Sequence, residues 1–354
     1  NSIKGVGAST AAITVNNTDG TCTANITNKP NRNLIINGAM QVAQYGSSYD
    51  NGDGFIVDRF KLEVNGMDEN PTLTQADISS GTTPYTLGFR KSWKVQNGNQ
   101  TSGAGATDRI QMQYKFEAQD IANSGWNYTS SSSFITLSFY VKSSVAQNFY
   151  GRLYSYDGSN YNYPFETGSL SADTWTKVTK TIAGNSNLTF DNNNDAGLLI
   201  ELHMFRGTDY TSSSATLNQW AAYASGDRTP DQTTTWFTTN DATFEVTGFQ
   251  VEVSDHATSF EFLSFADELR RCQRYYFKGS GSQKYFGGMY NSSNSMINVP
   301  LPVTMRTTPT ITSANADGGT LGDIYENENN ICYYILGDTS VGFTPSDAEA
   351  SAEL

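Results

Sequence analysis

The chain has 354 residues, enough for two domains, and is 37% hydrophobic and 12% aromatic, a globular composition tilted toward β structure because aromatic and β-branched side chains suit a pleated, half-buried surface. Its formal net charge of −13, with only 22 scattered Lys and Arg, argues against nucleic acid, whose phosphates must be met by clustered cations. No apolar run is long enough to span a bilayer, so membrane insertion is not expected, and Cys22, Cys272 and Cys332 are too few and too far apart for a disulfide framework or a zinc site.

Residues 1–32 are small and polar. Two short β-prone runs flank Thr18-Asp19-Gly20, a hairpin signal. The core-forming content is too thin to fold alone, so this segment reads as an arm or stalk that packs on something else. The sequence opens on Asn1 and shows no signal-peptide pattern.

From Asn33 the character changes. "NLIINGAMQVAQYG" is apolar, and after a Gly/Asp turn Ile56, Asp58, Phe60, Leu62 and Val64 alternate as a strand would. From there to Phe262 short strands alternate with turn clusters, most clearly in "SFITLSFYVKSS", "NFYGRLYSYDG", "TWTKVTKTIAG", "AGLLIELHMFRG" and "ATFEVTGFQVEVS". Many short strands between Gly/Asn/Asp/Ser turns mean an all-β sandwich or jelly roll over residues 33–262. No strand–helix–strand pattern suggests an α/β enzyme fold.

One helix stands out, over residues 263–279. Ser264 and Asp267 give an S-x-x-D start, and Gly279 is the expected stop. Phe265, Leu269, Cys272 and Tyr276 fall on one face at helical spacing, while Arg270, Arg271 and Arg274 fall elsewhere. Such a helix packs its stripe and leaves its basic flank in water. Residues 280–354 read as a small β unit, near the lower limit of independent stability, whose acidic end "SDAEASAEL" is expected to fray.

Three segments together resemble a widespread group of bacteriophage virion proteins. "NRNLIINGAMQVAQYGSS…DRFKLE" is similar to the start of the module. "GFQVEVSDHATSFEFLSFADELRRCQRYYFK" is similar to its end, where a G-x-Q-x-E strand leads to a T-x-F-E turn and a helix carrying E-L-x-x-C-Q-R-Y-Y. "LPVTMRTTPTIT" is similar to the strand that follows. The resemblance covers roughly residues 33–313, with Phe249 standing where an aliphatic residue is more usual and Ser259 where proline is common. It implies a tail-fibre or related virion fibre protein with a carbohydrate-binding-module-like jelly roll, usually trimeric, and supplies no agreed ligand residues. In that frame the partners are other copies of the chain, other virion proteins through residues 1–32, and a host-surface glycan. The helix becomes a connector and assembly element.

A catalytic reading finds little. The two histidines, His203 and His256, have no metal-ligand spacing, and nucleophile-elbow, P-loop and H-E-x-x-H motifs are absent. Carboxylates from distant strands would be needed for glycoside cleavage. The long β-helix repeats usual in capsular depolymerases are missing. "DNGDG" (50–54) and "DNNNDAG" (191–197) hold calcium-type oxygens but complete no EF-hand loop, so Asx-rich turns are the simpler account.

A sugar site is better supplied. Alternation puts Tyr150, Arg152, Tyr154 and Tyr156 on one strand face, and Glu201, His203 and Phe205 on another. If both line one sheet face they form a polar-aromatic groove for a glycan; an ordinary sheet face or a subunit interface is the plainer alternative. The expectation is non-catalytic glycan adsorption by a tail fibre on the particle surface. A purely structural head or neck fibre, or a fibre adaptor, is the alternative, and a depolymerase a more distant one.

Overall fold

The computed structural model describes residues 31–279 without interruption, then 288–313, 320–336 and 348–354, with short pieces at 2–3, 13–15, 18, 22–24, 285–286 and 342–343. Near the start, β1 (Ser2–Ile3), β2 (Ile13–Val15) and β3 (Cys22–Ala24) form a small antiparallel sheet, with Val15 paired to Cys22; the Asp19-Gly20 part of the expected turn lies outside the described residues. The rest of the 1–30 arm lies outside the described residues.

Two antiparallel sheets then make a jelly-roll β-sandwich. The six-stranded sheet runs β13 (Thr176–Ala183), β10 (Phe134–Ser143), β16 (Thr243–Glu252), β8 (Lys91–Gln96), β7 (Thr72–Asp77), β4 (Ser48–Tyr49). The seven-stranded sheet runs β15 (Ala221–Ala222), β12 (Tyr161–Ser169), β11 (Asn148–Ser155), β14 (Ala196–Arg206), β9 (Arg109–Glu117), β6 (Lys61–Asn65), β5 (Gly54–Phe55). Their facing sides bury one core that includes Phe60, Trp93, Met112, Phe139, Leu202 and Phe249.

The pattern in β9 shows how the sequence builds this. Ile110, Met112, Tyr114 and Phe116 point into the core, whereas Arg109, Gln111, Gln113 and Lys115 point out, as a period of two requires. The alternation over Ile56–Val64 is only partly a strand. Residues 56–59 form a turn in which Arg59 has φ +74°, and extended pairing begins at Lys61. Three one-turn helices, α1 (Thr83–Thr86), α2 (Ala118–Ala122) and α3 (Thr235–Thr238), are too short to imprint a 3.6-residue period on the sequence.

The two ends of the sandwich are latched together. Glu261 accepts the backbone N–H groups of Asn31 (2.5 Å) and Asn33 (2.8 Å). The Asn33 side chain bonds Phe249 O and Val251 N. Gln250 Oε1 accepts from Glu261 N at 2.9 Å, and Glu252 accepts from Thr258 N and Oγ1 at 2.8 and 2.7 Å. Gly248 sits at φ +65°, where a Cβ would lie 2.8 Å from the Phe89 ring; the position therefore demands glycine. The G-x-Q-x-E and T-x-F-E signatures are thus a closure device.

The helix α4 (Phe265–Gln273) begins as expected. Ser264 accepts from Asp267 N at 3.2 Å and donates to Asp267 Oδ2 at 2.6 Å. It ends at Gln273, short of Gly279, because Tyr276–Lys278 form β17. The expected stripe is therefore corrected at both ends. Phe265, in the first turn, is 57% exposed, and Tyr276 lies in a strand with its ring stacked 3.7 Å from that of Tyr45. Leu269 is half-buried. Cys272 is buried beside Ile36, Val42 and Tyr275, so the helix packs on its own sandwich. Nor is the basic flank all in water. Arg274 grips the buried Glu117 carboxylate with two 2.7 Å bonds, and Tyr275 OH adds a third at 2.6 Å.

Beyond the helix, β17 (Tyr276–Lys278), β25 (Glu349–Ser351) and β21 (Thr310–Ser313) form one sheet; β19 (Gly288–Met289), β20 (Asn294–Pro300), β23 (Asn330–Leu336) and β22 (Thr320–Asn327) form another. A last pair is β18 (Tyr285–Phe286) with β24 (Gly342–Phe343). Ile297, Val299, Ile331, Tyr333, Ile335 and Ala350 give this unit its own core. The acidic end does not fray as expected. Glu349–Ser351 pair into a sheet, Ala352 N bonds Tyr275 O at 2.7 Å, and Glu353 forms an ion pair with the buried Arg59.

Candidate functional site

The outer face of the seven-stranded sheet carries an unusual density of polar side chains. Cross-strand register arranges them in rows: Arg152, Glu201, Gln113 and Lys61 in one, Tyr150, His203, Gln111 and Glu63 in the next. Residues directly opposite in neighbouring strands are close enough for their side chains to meet. A groove of about 320 Å³ lies over this face, lined by Glu63, Arg109, Gln111, Gln113, Arg152, Tyr156, Leu199, Glu201, Tyr210 and Arg228.

Glu201, only 1% exposed, is the hub. Its Oε1 accepts from Gln111 Nε2 and Gln113 Nε2, each at 3.0 Å. Its Oε2 accepts from Arg152 Nε, from His203 Nε2 at 3.1 Å and from Arg206 Nη2 at 3.2 Å. Burial opposes the charge, but Arg152 and Arg206 outweigh it and hold the carboxyl well below its ordinary range. Glu63 is saturated likewise, accepting from Arg109 at 2.9 and 3.1 Å, from Gln111 at 2.9 Å and from Gln113. Two glutamine amides thus bridge two carboxylates.

His203 is fully buried, and burial together with Arg206 pushes it down to about 3. It is neutral at physiological pH. Gln232 Nε2 lies 3.2 Å from its Nδ1, which assigns the proton to Nε2, donated to Glu201. Arg206 is pulled down to about 10 by burial, with Arg152 and Arg228 adding repulsion against the pull of Glu201.

Of the six side chains that alternation nominates, Arg152, Tyr156 and Glu201 line the groove. Tyr156 follows the end of β11 and is 37% exposed. Tyr154 is 9% exposed and packs edge-on between Tyr156 and Tyr223, with centroids 4.9 Å from each. It supports the platform from beneath. His203 lies below the rim, and Tyr150 stands outside the lining. Phe205 does not share the Glu201–His203 face: a bulge between His203 and Phe205 resets the period, sending Phe205 into the core and bringing Arg206 to the polar side.

The missed residues divide in two. Glu63, Arg109, Gln111 and Gln113 were signalled by the polar half of the "KLEVN" and "RIQMQYKFE" alternations. Tyr210 and Arg228 come from the long 207–234 connection, where no period applies. The Arg228 guanidinium lies over the rings of Tyr210 (4.6 Å) and Tyr223 (5.6 Å), and Arg152 over Tyr223 (5.7 Å).

The calcium-type segments are occupied internally. Asp53 accepts Val64 N at 2.7 Å and pairs with Lys61, and Asn193 Oδ1 accepts Asp195 N at 3.0 Å. Among the described residues no three His, Cys, Asp or Glu side chains converge as metal ligands, and no helix is long and apolar enough to cross a membrane. Cys272 and Cys332 are free thiols, and the Cys22 side chain lies outside the described residues.

A second groove, of about 330 Å³, lies on the outer face of the six-stranded sheet. Its floor is three mutually packed phenylalanines, Phe89, Phe260 and Phe262, and Lys177 is its one charged lining residue.

No protein-family model and no curated protein matches the chain. Solved structures that match the chain include the enzymatically active domain of bacteriophage CBA120 tailspike protein 4, at 8% identity and TM-score 0.32, covering 64% of this chain and 22% of that one. A putative sugar binding protein from Bacteroides thetaiotaomicron is 10% identical at TM-score 0.30, covering 63% of this chain and all of the other. A family 11 carbohydrate-binding module from Clostridium thermocellum, in complex with a mixed-linked tetrasaccharide, is 10% identical at TM-score 0.27, covering 60% and 98%. The match to the tailspike spans about a fifth of that protein's length. These likenesses are too distant to assign a ligand or a reaction.

Proposed function

We propose that this chain is a bacteriophage virion fibre protein, carried on the tail, that adsorbs to host-surface glycan at the groove on the seven-stranded sheet without a chemical step. The observation that carries the binding reading is that one groove is lined by exposed Tyr156, half-buried Tyr210 and the spare guanidinium donors of Arg152 and Arg228, over a floor held rigid by its own hydrogen bonds. Sugars present apolar ring faces and fixed pairs of hydroxyls, and such a surface meets both. Preorganisation matters because a weak ligand gains most when the site loses little freedom on binding.

The same geometry speaks against glycoside cleavage here. That reaction needs one carboxyl kept protonated as general acid. Glu201 is pushed in the opposite direction, and both carboxylates are saturated with donors. The virion assignment rests on the G-x-Q-x-E, T-x-F-E and E-L-x-x-C-Q-R-Y-Y segments. On this reading the fibre is a homotrimer whose residues 1–32 engage other virion proteins, and three weak sites act at high effective concentration.

The test is Tyr156→Ala. Its side chain is exposed, so the variant is expected to fold, to sediment as the same trimer as wild type, and to adsorb to host cells at least several-fold less. A monomeric wild type at micromolar concentration would remove the assembly reading. Normal adsorption by a folded variant would place the binding site elsewhere.

A further inference from the structure

The groove's hydrogen-bonding capacity is lopsided. The carboxylates that would accept from sugar hydroxyls are filled: five donors converge on Glu201 and two glutamines and an arginine on Glu63. Gln111 Oε1 is taken by Arg206. Among the lining side chains, Gln113 Oε1 and the tyrosine hydroxyls are what remains to accept.

Donors are in surplus. Arg228 uses Nε on Ser225 O at 3.1 Å, and among the described residues its two terminal amino groups have no hydrogen-bond partner. Arg152 uses Nε on Glu201 and Nη1 on Asn162 Oδ1 at 3.4 Å, which leaves Nη2. Both guanidiniums lie over the one ring of Tyr223.

Charge is lopsided in the same sense. Arg109, Arg152 and Arg228 face Glu63 and Glu201 in the lining, and Arg206 stands directly behind, bonded to Glu201. His203 adds no charge. Four guanidiniums against two carboxylates leave a positive island on a chain of net charge −13. Arg206 is made less basic chiefly by burial, and repulsion from Arg152 and Arg228 adds to it.

We propose that the groove takes a sugar bearing a negative charge, a carboxylate or a phosphate group, with the free fork of Arg228 and the remaining Nη2 of Arg152 as its counter-ions and Tyr156 and Tyr210 against the ring. This rests on the glycan-binding reading and narrows it to an acidic glycan. A planar guanidinium fork matches both oxyanions in two-point geometry. The anion supplies the acceptors the groove lacks and relieves the repulsion among its arginines.

The experiment uses the full chain and two matched polymer pairs in affinity electrophoresis: polygalacturonate with its carboxyl-reduced form, and a phosphorylated mannan with its dephosphorylated form. At least one charged polymer is expected to retard the protein tenfold or more beyond its uncharged partner, and which pair does so distinguishes carboxylate from phosphate. Arg228→Gln is expected to erase that preference, and Arg228→Lys, which keeps the charge and loses the fork, to restore only part of it. Equal retardation by charged and uncharged partners, lost in Tyr156→Ala, would overturn the anionic assignment and leave the glycan site standing. Retardation by neither member of either pair would overturn both. A charge preference that persists in folded Arg228→Gln would overturn the role given to Arg228.

Discussion

Neutralising Glu201 is the severest small change this face can suffer. Glu201→Gln keeps the shape but removes the charge shared by Arg152, Arg206 and His203, and replaces one acceptor oxygen with a donor NH₂ facing donors. The Arg206 side chain is fully buried, so water cannot take over. Breaking a buried pair by removing one partner costs roughly 3–5 kcal/mol, because the remaining charge stays desolvated. With two buried arginines depending on one carboxylate, the expected loss is about 4 kcal/mol. For a domain of this size each kcal/mol moves the melting temperature by roughly 2–4 °C, so the midpoint should fall by roughly 8–16 °C. Urea unfolding followed by fluorescence of the buried Trp93 and Trp236 measures the difference directly. Arg109→Gln, on the half-buried Arg109–Glu63 pair, is the control and should cost about 1 kcal/mol or less. The double variant Glu201→Gln/Arg206→Met should be less damaged than the sum of its parts, since the second change removes the orphaned charge. A Glu201→Gln protein within about 0.5 kcal/mol of wild type would show that the network is solvated, refuting the reasoning.

Two further outcomes follow from the same physics. His203 binds a proton in the folded state only near pH 3, whereas an unfolded histidine does so near 6.5; the unfolded chain therefore holds the extra proton in between, and this residue's contribution falls as pH drops through that window. The wild-type slope of stability against pH between about 4 and 6 should exceed that of His203→Gln by about 1.4 kcal/mol per pH unit, measured by urea titrations at each pH; equal slopes would mean that His203 titrates normally. Arg274→Ala should lose about 2–3 kcal/mol, by stranding the fully buried Glu117 with Tyr275 and Gln119 alone, while the exposed Arg270→Ala changes little. A similar midpoint for both would make the Arg274–Glu117 contact a surface ion pair without energetic weight.

What was legible in the sequence is what local periods encode. The five clearest strand segments became β10, β11, β13, β14 and β16, because one buried face imposes a period of two on a half-covered sheet. Ser264 capped its helix because the S-x-x-D signature is satisfied within four residues. The failures sit where a period breaks or a partner is distant. The β14 bulge exchanged Phe205 for Arg206 on the polar face, and no residue type at that point announces it. The Ile56–Phe60 run alternated in composition yet folded as a turn, since Asp58 is held by Gln44 N and Nε2 at 2.7 and 2.5 Å. The "SDAEASAEL" end looked solvated, but Glu353 has a buried counter-ion, Arg59, 294 positions away. Arg228 and Tyr210 reach the groove from an irregular connection whose course depends on the whole sheet.

The residues that carry the family resemblance and the residues that form the groove are, Glu63 apart, different sets. Asn33, Gln250, Glu252 and Glu261 bond to one another and to nearby backbone, fastening the start of the sandwich to its last strand and the turn before α4. Arg274 and Tyr275 then fasten the helix to Glu117 at the end of β9. Most of these contacts are buried or partly buried, and removing one partner is expected to leave an unpaired polar group behind. The groove is subject to no such closure requirement at its rim. Tyr156, Tyr210 and Arg228 are exposed or half-exposed, so exchanging them is expected to disturb the fold less than exchanging a latch residue. On the proposed reading, a scaffold fixed by an internal latch carries a binding rim whose side chains can be exchanged without breaking the latch. It also explains why the sequence announces the fold through specific motifs and the site only through alternation.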